Sequence, residues 1–167
     1  MGEPLWGRRP SPRSCPEPSA SWTGEPTTAA ELTAMRRTMP WALMDVSPPA
    51  GTEEDLGALL LVFEELVSNG LRHGRPPVRV ELTAAARGWL LDVSDAAVDS
   101  PPEPAVDRDP ASGGLGLYLV ARVSTAHGWV IRDGRKHVWA HIPYSSGPAG
   151  AEQVERLPWR RPSPCCV

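Results

Sequence analysis

The sequence predicts an α+β protein, a two-layer α/β sandwich in which helices cover one mostly antiparallel, mixed sheet. The first observation is the hydrophobic periodicity, which runs in the order helix, helix, two strands, loop, helix, two strands. The strands also come in adjacent pairs with short connections, which is typical of hairpins. Finally, the 20 prolines are absent from residues 50–75, 78–100 and 111–142, so regular structure can form there.

Composition divides the chain into one domain and two tails. A length of 167 residues leaves room for a single domain. Residues 1–27 and 145–167 are rich in Pro, Ser, Gly and Arg, and we expect both to be disordered. The working domain is therefore predicted to span residues 28–144.

Two helices are predicted at the start of this domain. The first lies around Thr28–Thr38 and should end near Pro40, because proline interrupts the hydrogen bonds of a helix. The second spans Thr52–Arg72, with Thr52 as its N-cap and acidic residues in its first turn. Gly74 is placed to end it.

The second half of the domain supplies the sheet and a third helix. An acidic, proline-rich loop at Asp95–Ser112 separates the two strand pairs, and internal loops of this length are usually functional or mobile. A helix led by glycines follows at about Leu115–Ala126. The predicted strands are Val78–Ala84, Trp89–Ser94, Trp129–Arg132 and His137–Ile142.

Charge and composition exclude several classes of function. The 17 Lys and Arg against 20 Asp and Glu give a net charge of -3, which disfavours a nucleic-acid binder. No apolar stretch reaches the roughly 18 residues that span a bilayer, and the N-terminus lacks the apolar segment of a secretory signal. Cys15, Cys165 and Cys166 offer neither a disulfide framework nor metal-ligand spacing. We therefore expect a cytoplasmic protein that binds neither nucleic acid nor membrane.

The helix at Thr52–Arg72 carries the most informative polar residues. Glu65, Asn69 and Arg72 follow one another at spacings that place them on one side. That pattern is equally typical of a solvated face, but Leu61 and Val62 lie on the same side and indicate partial cover. Glu65 and Asn69 would then border a cavity, where an amide oxygen can ligate Mg²⁺ and a carboxylate can orient or deprotonate a hydroxyl.

Two further features are suggestive but weak when each is taken alone. The run GGLGL at 113–117 opens a helix, where glycines allow close approach and free N–H groups bind phosphate. A flexible linker is the more common explanation of such a run. Asp95 ends a predicted strand and can accept a hydrogen bond from an amino group such as that of adenine, although aspartate is also an ordinary turn residue.

In this order, the three features resemble the Bergerat-type ATP-binding domain of the GHKL superfamily. The likeness is closest to single-domain anti-sigma-factor serine kinases and actinobacterial ATP-binding regulators, and it covers about Leu56–Ile142. EELVSNGLRHG is similar to the N-box of that family, LLDVSDAAVD occupies the place of the next box, and GGLGLYLV resembles its glycine box. The closing strand pair, GRKHVWAHIP, is also similar.

The resemblance implies a role for each matching residue. Glu65 would be the catalytic base, Asn69 the Mg²⁺ ligand, and Asp95 the carboxylate that recognises adenine. Residues 96–112 would form a lid over the nucleotide. The implied cofactor-binding residues are Asn69, Asp95, Gly114, Gly116 and Leu117, and the implied cofactors are ATP and Mg²⁺.

Three positions depart from the family pattern. The second box normally reads D-x-G-x-G, but Ala97 and Asp99 stand at its glycine positions, where their side chains would crowd a nucleotide. His137 falls where the family often has a small residue near adenine.

The resemblance implies an ATP- and Mg²⁺-binding regulator that acts by partner switching in transcription regulation. Its partner would be a sigma factor or an anti-anti-sigma protein, on which it would phosphorylate a serine, and a homodimer is compatible with the likeness. The missing glycines favour an alternative, a non-catalytic protein-interaction module of the same fold with a degenerate nucleotide pocket. A histidine-kinase fragment is disfavoured because no helix with an acceptor histidine precedes the domain.

Overall fold

The computed structural model describes residues 5–12, 20–46, 51–85, 87–104 and 115–145. Within them, five strands form one sheet in the order β1-β2-β3-β5-β4, and the helices pack against it. This confirms the predicted α+β two-layer sandwich. In chain order the elements are β1 (Ala20–Gly24), α1 (Ala29–Val46), α2 (Glu53–His73), β2 (Arg79–Ala85), β3 (Gly88–Asp95), α3 (Gly116–Val123), β4 (Ala126–Arg132) and β5 (Arg135–Pro143).

Strand register decides which side chains face the helices. β3 and β5 pair antiparallel, with Leu91 opposite Ala140 and Asp95 opposite Lys136. Because side chains alternate between the two faces of a sheet, these residues share the helix-covered face. Leu91 and Ala140 are completely buried there, in one core with Phe63 of α2. The same face carries Asp95 and Lys136 to the end of the sheet beside α2.

Local sequence fixes the start of α2, as predicted. Thr52 is the N-cap: its hydroxyl accepts the backbone N–H of Asp55 at 3.2 Å, and the Asp55 carboxylate accepts that of Thr52 at 2.7 Å. The same carboxylate accepts the backbone N–H of Ser145 at 2.9 Å. Burial alone would raise the pKa of Asp55, but the hydrogen bonds from Ser145 and Thr52 outweigh it and lower the pKa. Gly74 ends the helix, with its N–H donating to the Gly70 carbonyl.

The prediction that Pro40 ends the first helix is wrong. α1 continues through Pro40 to Val46. Proline leaves the carbonyl of Arg36 without its usual helical donor, but Arg36 is exposed, so water can replace that donor. Met39 and Leu32 are buried in the core, and this packing outweighs the local cost of the proline.

The prediction of disorder up to residue 27 is wrong for the parts of that segment that the structure describes. Residues 20–24 form β1, which pairs antiparallel with β2 along its whole length. Trp6 is only 4% exposed, and its indole N–H donates to the Leu117 carbonyl at 3.0 Å. Arg8 forms a parallel bridge with Trp129 of β4. A buried indole and ladder hydrogen bonds order these residues despite their proline-rich composition.

The remaining elements differ from the predictions mainly at their ends. α3 is shorter than predicted because Ser124 ends it, with its hydroxyl donating to the Val120 carbonyl at 2.7 Å. β4 then begins at Ala126, earlier than predicted. The second half of the predicted lid, the three cysteines and the tail beyond residue 145 lie outside the described residues. Within the described ranges, no helix combines the length and apolarity needed to cross a membrane.

Candidate functional site

A cavity of about 510 Å³ lies between α2, α3, the ends of β3 and β5, and residues 100–103. Its walls include five of the six residues to which the resemblance assigns a catalytic or cofactor-binding role: Glu65, Asn69, Asp95, Gly116 and Leu117. The sixth, Gly114, lies outside the described residues. The structure thus brings the described candidates together in one place, while their chemical roles stay predictions.

Helix α2 supplies one wall of this cavity. Glu65, Asn69, Arg72 and His73 all line it; Glu65 and Asn69 are half-buried there, while Arg72 and His73 are exposed. Burial raises the pKa of Glu65, Arg72 works against that shift, and the neighbouring Glu64 adds to it. A carboxylate with a raised pKa is the better proton acceptor at neutral pH.

Gly116 makes room for Glu65 at the start of α3. A Cβ at position 116 would overlap the Glu65 carboxylate, so any other residue there would displace one of the two groups. The first turn of α3 has no side-chain cap. N–H groups in the first turn of a helix have no partner within the helix, and they can bind an anionic group. Phosphate is the ligand that helix N-termini with nearby glycines commonly bind.

Asp95 lies at the inner end of the cavity, only 2% exposed. One carboxylate oxygen accepts the Ala97 N–H at 2.6 Å, and the other pairs with the Lys136 ammonium at 3.3 Å. Lys136 also donates to the Ser100 carbonyl at 2.8 Å. Gly74 is required beside this pair, because a Cβ there would come within 2.8 Å of the Asp95 carboxylate.

His137, which the resemblance would place near adenine, does not line the cavity. Strand alternation places His137 on the opposite face of the sheet, where its Nδ1 lies 2.9 Å from the Asp92 carboxylate. Lys136 occupies the cavity position instead. The sequence did contain a signal for Lys136: it lies two and four residues before the apolar Val138 and Ala140. That spacing places all three on the helix-covered face of β5.

The two residues that replace glycines of the second box do not line the cavity. Ala97 is buried and Asp99 is exposed, at 3.8 Å from the Arg75 guanidinium. Neither belongs to the described lining of the cavity. Whether these side chains crowd a bound nucleotide stays a prediction.

The donor set fits Mg²⁺ only if a ligand completes it. Among the described residues, no group of three or more His, Cys, Asp and Glu could hold a metal ion. Asn69 and Glu65 nevertheless supply hard oxygen donors to the same cavity. Mg²⁺ commonly binds through one or two protein oxygens, with phosphates and water as its other ligands.

An antiparallel sheet under helices, with a polar cavity joining α2, the end of β3 and the glycine at the start of α3, defines a GHKL-type ATP-binding domain. The family model that matches is described as a histidine kinase-like ATPase domain, and it matches residues 27–142. The chain belongs to this family. ATP binding, usually with Mg²⁺, is the function of this class of domain. No curated protein matches the chain.

Proposed function

We propose that this protein is an ATP- and Mg²⁺-binding regulator that acts by partner switching in transcription regulation, similar to anti-sigma-factor serine/threonine kinases. The observation that carries the proposal is the convergence of Glu65, Asn69, Asp95 and Gly116 on one cavity. Family membership supports the nucleotide. The partner, a sigma factor or an anti-anti-sigma protein, is supported by the sequence resemblance.

Each end of the cavity suits a different part of ATP. Asp95 at the inner end accepts the adenine amino group, while Gly116 and Leu117 offer N–H groups to the phosphates. Arg72 adds positive charge on the same wall. Asn69 is the residue that holds Mg²⁺, which when bound neutralises phosphate charge.

Glu65 is the residue placed to act on an acceptor hydroxyl. It is half-buried beside the start of α3, and its pKa is raised by that burial. A partner serine presented at the cavity would donate its proton to this carboxylate as its oxygen attacks the terminal phosphorus of ATP, and the bond from that phosphorus to the bridging oxygen would break to release ADP. Gly116 leaves the space in which the carboxylate can take up that position.

Asn69→Ala tests the assignment of the site. We expect Mg²⁺-dependent ATP binding, measured by calorimetric titration, to be lost while the thermal unfolding midpoint stays close to that of the wild type. The reason is that the substitution removes the oxygen ligand from a helix whose core contacts are unchanged. Thr33→Ala, at an exposed position of α1, is the control and should bind like the wild type. Equal affinity in Asn69→Ala and the wild type would remove the assignment.

A second candidate function is a non-catalytic interaction module of the same fold. Lys136 and two backbone amides already engage the Asp95 carboxylate, which favours a cavity that holds itself together without nucleotide. Titration with ATP and Mg²⁺ separates the two candidates, because a module gives no heat at millimolar ligand. If ATP binds, transfer of labelled phosphate to a serine-bearing partner then distinguishes a kinase from a nucleotide-gated binder.

A further inference from the structure

Lys136 is the only lysine in the chain, since every other basic residue among the 17 Lys and Arg is an arginine. It is also buried, at 5% exposure, and lines the cavity. A buried ammonium is costly unless it is paired, so its presence in the interior requires an explanation. The strand register supplies the geometry, because Lys136 stands directly opposite Asp95 on the neighbouring strand.

The hydrogen bonds of Lys136 leave one donor for a ligand. An ammonium has three N–H groups, and two are directed at the Ser100 carbonyl and the Asp95 carboxylate. Among the residues that the structure describes, none accepts a hydrogen bond from the third. Asp95 accepts from Ala97 and more distantly from Arg75, at 2.6 and 3.5 Å, and a carboxylate has about four acceptor sites. The pair therefore offers the cavity one donor beside one acceptor.

We propose that Lys136 recognises the purine base together with Asp95, donating a hydrogen bond to ring nitrogen N1 of adenine while the carboxylate accepts from the 6-amino group. This inference rests on the proposed nucleotide-binding function and adds a specificity-determining residue to it. The Watson–Crick edge of adenine presents its donor, the 6-amino group, and its acceptor, N1, on two nitrogens bonded to the same carbon, and these match the acceptor and donor of the pair. Both hydrogen bonds are charge-assisted, so each is stronger than a bond between neutral groups.

Other basic side chains in this region are less suited to this task. Arg72 and His73 line the cavity from α2, but both are exposed. Arg135 is bound to the Ser94 and Pro77 carbonyls. Lys136 is thus the cation at the inner end, beside the carboxylate that the base would contact.

The first test compares two ligands on the wild-type protein, so it needs no variant. ATP and 1-deaza-ATP differ at N1, where the analogue carries a C–H group and accepts no hydrogen bond. We expect ATP with Mg²⁺ to bind about tenfold more tightly or better, because the analogue loses a charge-assisted bond. Protein labelled with [ε-¹⁵N]lysine reports on a single side chain, and its signal should shift more with ATP than with the analogue. Equal affinities and equal shifts would overturn the inference.

The second test removes the ammonium while keeping a side chain of similar length. Lys136→Met should weaken ATP binding and bind ATP and 1-deaza-ATP equally, with folding checked by circular dichroism. If the single variant unfolds, the double variant Asp95→Asn with Lys136→Met replaces it, because it removes both charges of the pair. The double variant should also bind ATP and 1-deaza-ATP with equal affinity. Tighter ATP binding by Lys136→Met would overturn the inference, because the lysine would then be blocking the site. Tighter binding of GTP than of ATP by the wild-type protein would also overturn the inference.

The two proposals fail in different ways. If ATP, its analogue and GTP all fail to bind both wild type and Lys136→Met, the nucleotide-binding function itself is wrong. If ATP binds the wild type but Lys136→Met binds it equally well, only the role of the lysine is wrong.

Discussion

At the scale of single residues, Glu65 and Gly116 depend on each other. The carboxylate occupies space that a side chain at position 116 would fill, so the glycine permits the buried position of the glutamate. That burial raises the pKa of Glu65. The same arrangement that makes Glu65 a better base therefore costs stability when the carboxylate is ionised, as is common where function and stability compete.

Glu65→Gln should remove a pH dependence from the stability of the domain. Because the pKa of Glu65 is raised on folding, its contribution is fully present below the ordinary glutamate pKa and is lost as pH rises through the folded value. We expect the unfolding midpoint of Glu65→Gln, relative to the wild type, to increase as pH rises from the ordinary glutamate range towards neutrality. Thermal unfolding across that range measures it. Glu81→Gln, at an exposed position of β2, removes the same charge and is the control; its unfolding midpoint should change with pH as that of the wild type does. If Glu65→Gln also changed with pH as the wild type does, the burial of Glu65 would have no effect on stability.

Sequence spacing predicted that Glu65 and Asn69 border a cavity, but it did not predict Lys136. Glu65 and Asn69 could be predicted because both lie on one helix, where spacing alone determines which face a residue occupies. Lys136 could not be predicted in this way, because its neighbour Asp95 lies on a different strand. A one-residue difference in register exchanges the two faces of a strand, so the prediction pointed to His137 on the wrong face.

At the scale of elements, local chemistry was predictable and packing was not. The capping box of α2 involves residues three apart, and its signature can be read directly from the sequence. The continuation of α1 through Pro40 depends instead on burial of Met39 by the rest of the fold. Propensity therefore predicted the start of one helix correctly and the end of another incorrectly.

Asp55→Ala should destabilise the protein beyond the loss of an ordinary cap. Removing a capping side chain costs roughly 1–2 kcal/mol, and Asp55 also accepts the backbone N–H of Ser145 after the last strand. Because hydrogen bonds lower its pKa, the contribution of Asp55 is present above the ordinary aspartate pKa and is lost as pH falls through the folded value. Denaturant unfolding should thus show a difference from the wild type that shrinks in acid.

The control for this variant is Glu54→Ala, an exposed acidic residue in the same first turn. It removes an equal charge near the helix N-terminus but no capping bond, so its cost should stay within about 1 kcal/mol. A similar loss in both variants would mean that charge near the helix dipole, and not the capping box, stabilises this end of α2.

At the scale of the whole molecule, the N-terminal residues 5–12 contact both the edge strand β4 and helix α3, which borders the cavity. Gly7 and Arg9 hydrogen-bond to the backbone of Trp129 in β4, while the Trp6 indole donates to Leu117 of α3. Trp6 and its acceptor are 111 residues apart, so neither composition nor periodicity could reveal the contact. Leu117 follows Gly116, and Trp6 therefore holds the same turn of α3 that borders the cavity.

Substitution of Trp6 should show that this segment is part of the folded domain. We expect Trp6→Ala to lower the free energy of unfolding by about 3–5 kcal/mol, because it empties a buried indole site. Trp6→Phe keeps an aromatic ring but loses the hydrogen bond to Leu117, at a cost of about 1 kcal/mol or more. Denaturant titrations give both values. Trp41→Ala, at a position 71% exposed on α1, should change stability by about 0.5 kcal/mol at most. If Trp6→Ala and Trp41→Ala behaved alike, the N-terminal segment would not be anchored, and the sequence-based expectation of a disordered tail would apply to it after all.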